Sequence, residues 1–164
     1  FGIRIPRTSW PAMEYGSRDR RVDLVVAVAR GDTARIRADA KALDSTMIVA
    51  ARAADLDSAW AIVAADGYLV LRDSAAALRS LGIMLDSTTA QTTLTTIVPA
   101  IGEFVGSFWP RAMLLRADLA AALGRKDEAR TWYGRFLQLW SNADAEFAPV
   151  VARARAAYAA AGGT

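Results

Sequence analysis

The residue types that most often do chemistry are missing from this chain. It contains no cysteine and no histidine. Disulfides, thiolate nucleophiles and Cys-type zinc sites are therefore excluded, and the commonest general base and metal ligand is absent. An enzyme built on this sequence would work with carboxylates, Tyr, Ser, Thr, Lys or Arg alone. Two carboxylates, Asp66 and Asp118, do fall at matching places in two similar stretches. Positioned carboxylates can act as acid and base. With no further catalytic group beside them, they read instead as solvated or groove-lining aspartates. No G-x-S-x-G, S-x-x-K, H-E-x-x-H or G-x-x-x-x-G-K pattern occurs. Gly124-Arg125-Lys126 has the glycine and lysine that close a phosphate loop but not the earlier glycine. No catalytic residue, metal ligand or cofactor is predicted.

Binding chemistry remains. Trp10, Trp60, Trp109, Trp132 and Trp140 are potential anchors, although tryptophan more often serves a core. Trp109 is the best candidate among them for exposure, because it sits in the irregular insertion beside Arg111. The formal net charge is +3 and the pI near 9.7. A nucleic-acid binder usually concentrates its charge on one face, so this is not a strong nucleic-acid signal. Ser17-Arg18-Asp19-Arg20-Arg21 reads as a charged, solvated helix start with Asp19 and Asp23 nearby.

These residues must be positioned by helices. Hydrophobic residues make up 54% of the 164, with much alanine, leucine and arginine, which are good helix formers. No apolar run approaches the roughly 20 residues that span a bilayer. No signal-peptide pattern is present, and a start at Phe1 suits a processed chain or a piece of a longer one. A cysteine-free chain suits a cytoplasmic or a periplasmic setting alike.

Residues 1–16, with Gly2, Pro6, Pro11 and Gly16, read as an extended N-terminal arm. The helical domain is expected over 17–164. Helix pairs are predicted at about 17–43, 57–85 and 110–140, with a last helix at about 146–161. The stretch 45–56 is ambiguous, and 86–109 reads as a polar connector followed by an irregular helix or buried loop. Pro110 suits a first helical turn. Pro149 implies either a helix start near Glu146 or a kink. Gly67 sits inside a helix at a cost of about 1 kcal/mol against alanine, which a close helix crossing would explain.

Three hinges recur: ARGDTARI at 29–36, VLRDSAAAL at 70–78 and ALGRKDEAR at 122–130. Gly31 suits a left-handed stop, and Asp32 and Asp73 suit N-caps. Beyond the hinges, Ala65, Tyr68, Arg72, Ala77, Leu81 and Leu85 match Ala117, Ala120, Gly124, Ala129, Tyr133 and Leu137, each 52 residues further on. Small residues at 65, 77, 117 and 129 would let paired helices approach closely.

Ala117, Gly124, Ala129 and Tyr133 carry the spacing of the tetratricopeptide repeat, which the chain resembles. The likeness is clearest over 110–141 and fades through 57–86 to 18–44. Turn-to-turn distances of 41 and then 52 residues exceed the usual period of about 34, so the repeats are degenerate, with insertions. Arg72 stands where the turn glycine belongs, and Ser141 where the closing proline belongs. The C-terminal third is also similar to the tails of large bacterial multi-domain regulatory proteins. The resemblance implies an all-α solenoid of about three antiparallel hairpins and a capping helix. It also implies a non-enzymatic scaffold that binds a protein or peptide partner, or an accessory subunit in a larger complex. By position, its concave face would hold Ile62, Asp66, Leu69, Trp109, Arg111, Leu114 and Asp118. The lysine and asparagine set that some relatives use to clamp a terminal carboxylate is missing there. The alternative is a regulatory domain of a signalling or transcription-linked protein that contacts nucleic acid through its arginine faces.

If Ala129 sits at a close crossing, Ala129→Trp will force the last hairpin apart. The expected loss is at or above the usual ~1–3 kcal/mol of overpacking. An unchanged thermal melt would argue against the hairpin.

Overall fold

The computed structural model describes residues 19–53, 60–86 and 102–163, with backbone alone for 102–108. Every regular element among these residues is helical, and no strand occurs among them. The chain divides into two compact units, Phe1–Met84 and Leu85–Thr164. The expected N-terminal arm and most of the 86–109 insertion lie outside the described residues.

The first unit holds α1 (Arg20–Arg30), α2 (Thr33–Arg52), α3 (Ala61–Val70) and most of α4 (Ser74–Leu85). Asp19 caps α1 by accepting the Arg21 N–H at 2.9 Å. Leu24 and Ala27 of α1 meet Ile36, Ala40, Leu43 and Met47 of α2 in a buried core. α3 packs on both helices. A Cβ on Gly67 would lie 3.1 Å from Leu24 Cδ1 and 3.5 Å from Ile36 Cγ2. The crossing expected from this glycine is present, and it is tight enough that only a bare backbone fits without displacement.

α2 runs nine residues beyond the expected end at Leu43. The ambiguous stretch joins it as far as Arg52, because Met47 extends the buried stripe of Ile36, Ala40 and Leu43. Ser45 and Thr46, which favour turns, bond back along the helix instead. Their hydroxyls donate to the carbonyls of Lys41 and Ala42 at 3.0 and 3.1 Å.

The second unit holds α5 (Gly102–Ala122), α6 (Lys126–Leu139), a 3₁₀ turn (Ala145–Phe147) and α7 (Ala148–Ala160). Two expectations change here. α5 begins at Gly102 rather than at Pro110, and Pro110 lies inside it. An interior proline costs about 3 kcal/mol. Burial of Trp109, Ala112 and Met113 on either side offsets that cost, at roughly 1.5–3 kcal/mol for each large side chain. At α7 the structure selects a fresh start over a kink, since Pro149 occupies the first turn, where its missing N–H leaves no bond unmade. Phe136 stacks on Trp140 at 5.4 Å, and Phe147 meets Trp140 edge-on at 4.6 Å. These rings close the corner between α6 and α7.

The three hinges share one backbone geometry. Gly31, Arg72 and Gly124 are left-handed, with φ of 69°, 58° and 75°. At each, two N–H groups reach back to the preceding helix. Gly31 bonds Val28 and Asp32 bonds Ala27. Arg72 bonds Leu69 and Asp73 bonds Tyr68. Gly124 bonds Ala121 and Arg125 bonds Ala120. This is the Schellman arrangement, and it satisfies carbonyls that a helix end would otherwise orphan. Asp32 and Asp73 then cap the next helix, accepting from Arg35 N at 3.0 Å and Ala76 N at 2.9 Å. Arg125 provides no side-chain cap. The aligned small residues Ala65, Ala77, Ala117 and Ala129 are all completely buried.

A non-glycine residue in this conformation bears roughly 1–2 kcal/mol of strain. Arg72→Gly is therefore expected to raise stability, by up to ~1 kcal/mol after glycine's extra unfolded-state entropy. Gly124→Ala should lower it by a similar amount, since nothing lies within 4 Å of a Cβ there and only backbone strain acts. Urea melts of the two variants check the opposite signs.

Candidate functional site

The sequence-predicted surface residues separate into three classes. Ile62, Trp109 and Leu114 are core residues, at 1%, 6% and 9% exposure. They leave the candidate surface, and Trp109 is not the exposed anchor expected from its neighbourhood. Asp66 and Leu69 of α3 are half-buried, and so is Asp118 of α5, whereas Arg111 of α5 is exposed. Asp66 and Leu69 belong to the first unit, Arg111 and Asp118 to the second.

Asp118 has a role that its sequence position does not announce. Its Oδ1 accepts the Tyr133 hydroxyl of α6 at 2.6 Å. Its two oxygens also accept Arg153 Nη1 of α7 at 3.1 and 3.0 Å. One carboxylate thus joins three helices. Burial raises the Tyr133 phenol above its ordinary range, and the hydrogen bond and charge of Asp118 add to the shift, while Arg153 opposes it. The partners Tyr133 and Arg153 lie 15 and 35 residues away, so no local spacing could have revealed them.

A second polar centre surrounds Arg116, whose side chain is only 11% exposed. It pairs with Asp86 at 2.7 Å and Glu128 at 3.0 Å. Its guanidinium lies 4.3 Å from the centre of the Trp132 ring, and that of Arg135 lies 4.5 Å from the same ring. Trp60 likewise carries the Arg21 guanidinium at 4.5 Å. These tryptophans act as cation-binding faces within the fold. Trp10 lies outside the described residues.

In the first unit, Asp23 and Asp39 are buried at 5% and 2%. This corrects the expectation of a solvated Asp23. Arg35 bridges them, with Nε 2.6 Å from Asp39 and Nη2 3.3 Å from Asp23. The Arg35–Asp39 spacing of four residues was the one available signal. A fourth centre forms where Ser80 Oγ donates to Asp44 at 2.7 Å. Ser80 is sealed from solvent. A hydroxyl that no substrate can reach fastens helices and does not attack carbonyls.

Among the described residues, no group of three or more Asp or Glu gathers as a metal cage. No helix among them is long and apolar enough to cross a membrane. Compared with models of known protein families, with curated proteins and with solved structures, the chain gives no match.

The Tyr133 centre has a measurable signature in alkali. A phenol that ionises later when folded contributes stability that is fully present below its unfolded pKa of 10.0 and is lost as pH rises through the folded value. Ultraviolet absorbance of the phenolate follows this, with Tyr133→Phe assigning the late step. Asp118→Asn should bring that step to lower pH and Arg153→Ala should move it higher. Equal midpoints in all three proteins would show that the carboxylate does not govern the phenol.

Proposed function

We propose that this chain is a non-enzymatic protein-interaction module of degenerate tetratricopeptide-like hairpins, working as a scaffold or as an accessory subunit of a larger assembly. The observation that carries the reading is the repeated hinge. Gly31, Arg72 and Gly124 share one left-handed turn, and the second and third are flanked by fully buried alanines at matching positions. In repeat proteins a helix hairpin of this kind cannot cover its own apolar face, so hairpins stack and leave an elongated surface free. Such surfaces serve recognition of extended or helical peptides better than they serve enclosed catalysis.

With Ile62, Trp109 and Leu114 in the core, the proposed partner-facing residues reduce to Asp66, Leu69, Arg111 and Asp118. Each unit contributes its own pair, Asp66 with Leu69 in the first and Arg111 with Asp118 in the second. Mixed charge of this kind favours a protein segment over a polyanion. The distribution of arginine supports the same preference: Arg21, Arg35, Arg116, Arg130 and Arg153 all sit against carboxylates. Cations neutralised within the fold release fewer counterions from a nucleic acid. The likeness of the last third to bacterial regulator tails fits a role inside a larger protein or complex.

Peptides selected from a random library on the whole chain provide the test. Affinities are then measured for the wild type, Leu69→Lys, Arg111→Glu and the remote control Arg155→Glu, each first shown to melt like the wild type. The expected result is at least about tenfold weakening by the first two, equivalent to about 1.4 kcal/mol, and none by the control. Equal affinities throughout would remove the assignment of this face. Steeply salt-dependent DNA or RNA binding, with no peptide selected, would favour the arginine-face alternative.

A further inference from the structure

The carboxylates of α2 are engaged within the fold, and three of its cations are not. Asp32 caps the helix. Asp39 is buried against Arg35. Asp44 is half-buried and accepts Ser80 Oγ of α4. Arg37, Lys41 and Arg52 are exposed, and none of them forms an ion pair with a carboxylate among the described residues. They differ in this from the arginines that brace the two units.

These cations share one side of α2 with Ser45, Ile48 and Val49. At 3.6 residues per turn, the six positions fall within an arc of roughly 120°. The other residues of that arc are Ala34 and Ala38. All of them are exposed, Ile48 at 39% and Val49 at 66%. The buried stripe of Ile36, Ala40, Leu43 and Met47 lies on the opposite side. From Arg37 to Arg52 the outer stripe runs for about 22 Å. It is basic and aliphatic, and no carboxylate lies within it.

The charge requires an acidic occupant, and the aliphatic side chains decide its class. A nucleic-acid backbone has nothing apolar to place on Val49, and the arc holds no aromatic ring on which a base could stack. A lipid surface needs a broad apolar face, which two side chains do not provide. A protein segment brings carboxylates and apolar side chains together. The cation spacing selects its conformation. Along the helix axis Lys41 stands about 6 Å from Arg37 and about 16 Å from Arg52. A second helix alongside has the same rise, so carboxylates four and eleven residues apart on one face meet all three. An extended segment, which alternates faces, would meet them with roughly its first, third and eighth residues. The eighth then points away. We propose that this face of α2 docks an acidic amphipathic helix of a partner protein, with carboxylates toward Arg37, Lys41 and Arg52 and an aliphatic side chain on Ile48 and Val49. The site goes beyond the surface proposed above, none of whose residues lies on α2.

The test uses the whole chain and synthetic helical peptides of one composition. One carries three glutamates spaced four and eleven residues apart with leucines beside them, made in both orders. The other has the same residues scrambled around the helix. The patterned peptide should bind in one order, and more weakly as salt rises. Lys41→Glu should weaken it by about tenfold or more, and Val49→Asn by a smaller factor. Exchanging the middle glutamate for lysine should restore binding to Lys41→Glu. Arg155→Glu, at an exposed position of α7, should leave binding unchanged. So should Leu69→Lys, which keeps this outcome separate from that of the other surface. Each variant is first shown to melt like the wild type. No binding of the patterned peptide in either order, or equal binding of the scrambled one, would overturn the proposal. So would duplex DNA or anionic vesicles that bind the wild type more tightly than the peptide does and lose that binding with Lys41→Glu.

Discussion

The structure depends on reversing the chain direction in two residues. At 31–32, 72–73 and 124–125 the backbone turns into the left-handed region and back, and the two N–H groups of the turn satisfy carbonyls of the helix just ended. So short a reversal leaves the flanking helices antiparallel and side by side. It also limits what can lie between them. Alanine at 65, 77, 117 and 129 meets that limit, and each is wholly buried. Large residues then fill the next level, as Leu81 and Tyr133 do at 0% and 3% exposure. The turn comes first in this chain of causes. A longer loop would let the helices separate, and the alanines would then leave cavities. Arg72 shows how strong the requirement is. A residue with a Cβ adopts the left-handed conformation there, at φ 58°, and closes the same two bonds that the glycines do.

What could be read from the sequence was what depends on neighbouring residues. Gly31, Gly124, Asp32 and Asp73 do their work within five positions, so residue type and spacing suffice to place them. Gly67 could be read for a different reason: a glycine inside a helix demands an explanation, and Leu24 provides it at 3.1 Å from a notional Cβ. What could not be read depends on distant partners or on a balance of energies. Proline rules describe an average helix, and Pro110 lies inside α5 because Trp109 and Met113 are anchored beside it. The same burial removes Trp109 from the candidate surface, together with Leu114 one helical turn further on. Ile62, at 1% exposure, belongs to the core of the first unit, which its position beside Asp66 and Leu69 does not announce. Asp118 has a second task, joining helices, that its spacing does not reveal. Its partners lie on α6 and α7, beyond the reach of any periodicity argument.

Charge is spent inward in this protein. The net charge of +3 suggests a modest basic surface, yet several arginines serve as struts. Arg35 lies against two buried carboxylates and Arg116 against Asp86, Glu128 and the Trp132 ring. Pairs of this kind contribute little net stability when compared with apolar packing, but removing one member leaves a buried charge uncompensated. They therefore specify which helix meets which more than they add to overall stability. In an alanine-rich chain this matters. Alanine faces are nearly interchangeable in shape, and a hairpin held only by them could slide by a turn at low cost. A bridge such as Arg35 to Asp23 and Asp39 has one register in which all three groups are satisfied.

The two units solve the problem of joining a third helix to a hairpin in related ways. Each places an aspartate near a tyrosine: Asp118 accepts the Tyr133 hydroxyl, and the Asp44 charge raises the Tyr68 phenol. The third partner differs. Asp118 receives Arg153, half exposed at 52%, from α7. Asp44 receives the sealed hydroxyl of Ser80. An ion pair open to water is weakly bound and tolerant of movement, whereas a buried neutral donor on a carboxylate is intolerant of both movement and charge. The last helix is therefore held by a contact open to water, and α4 is held to α2 by a hydroxyl that water does not reach.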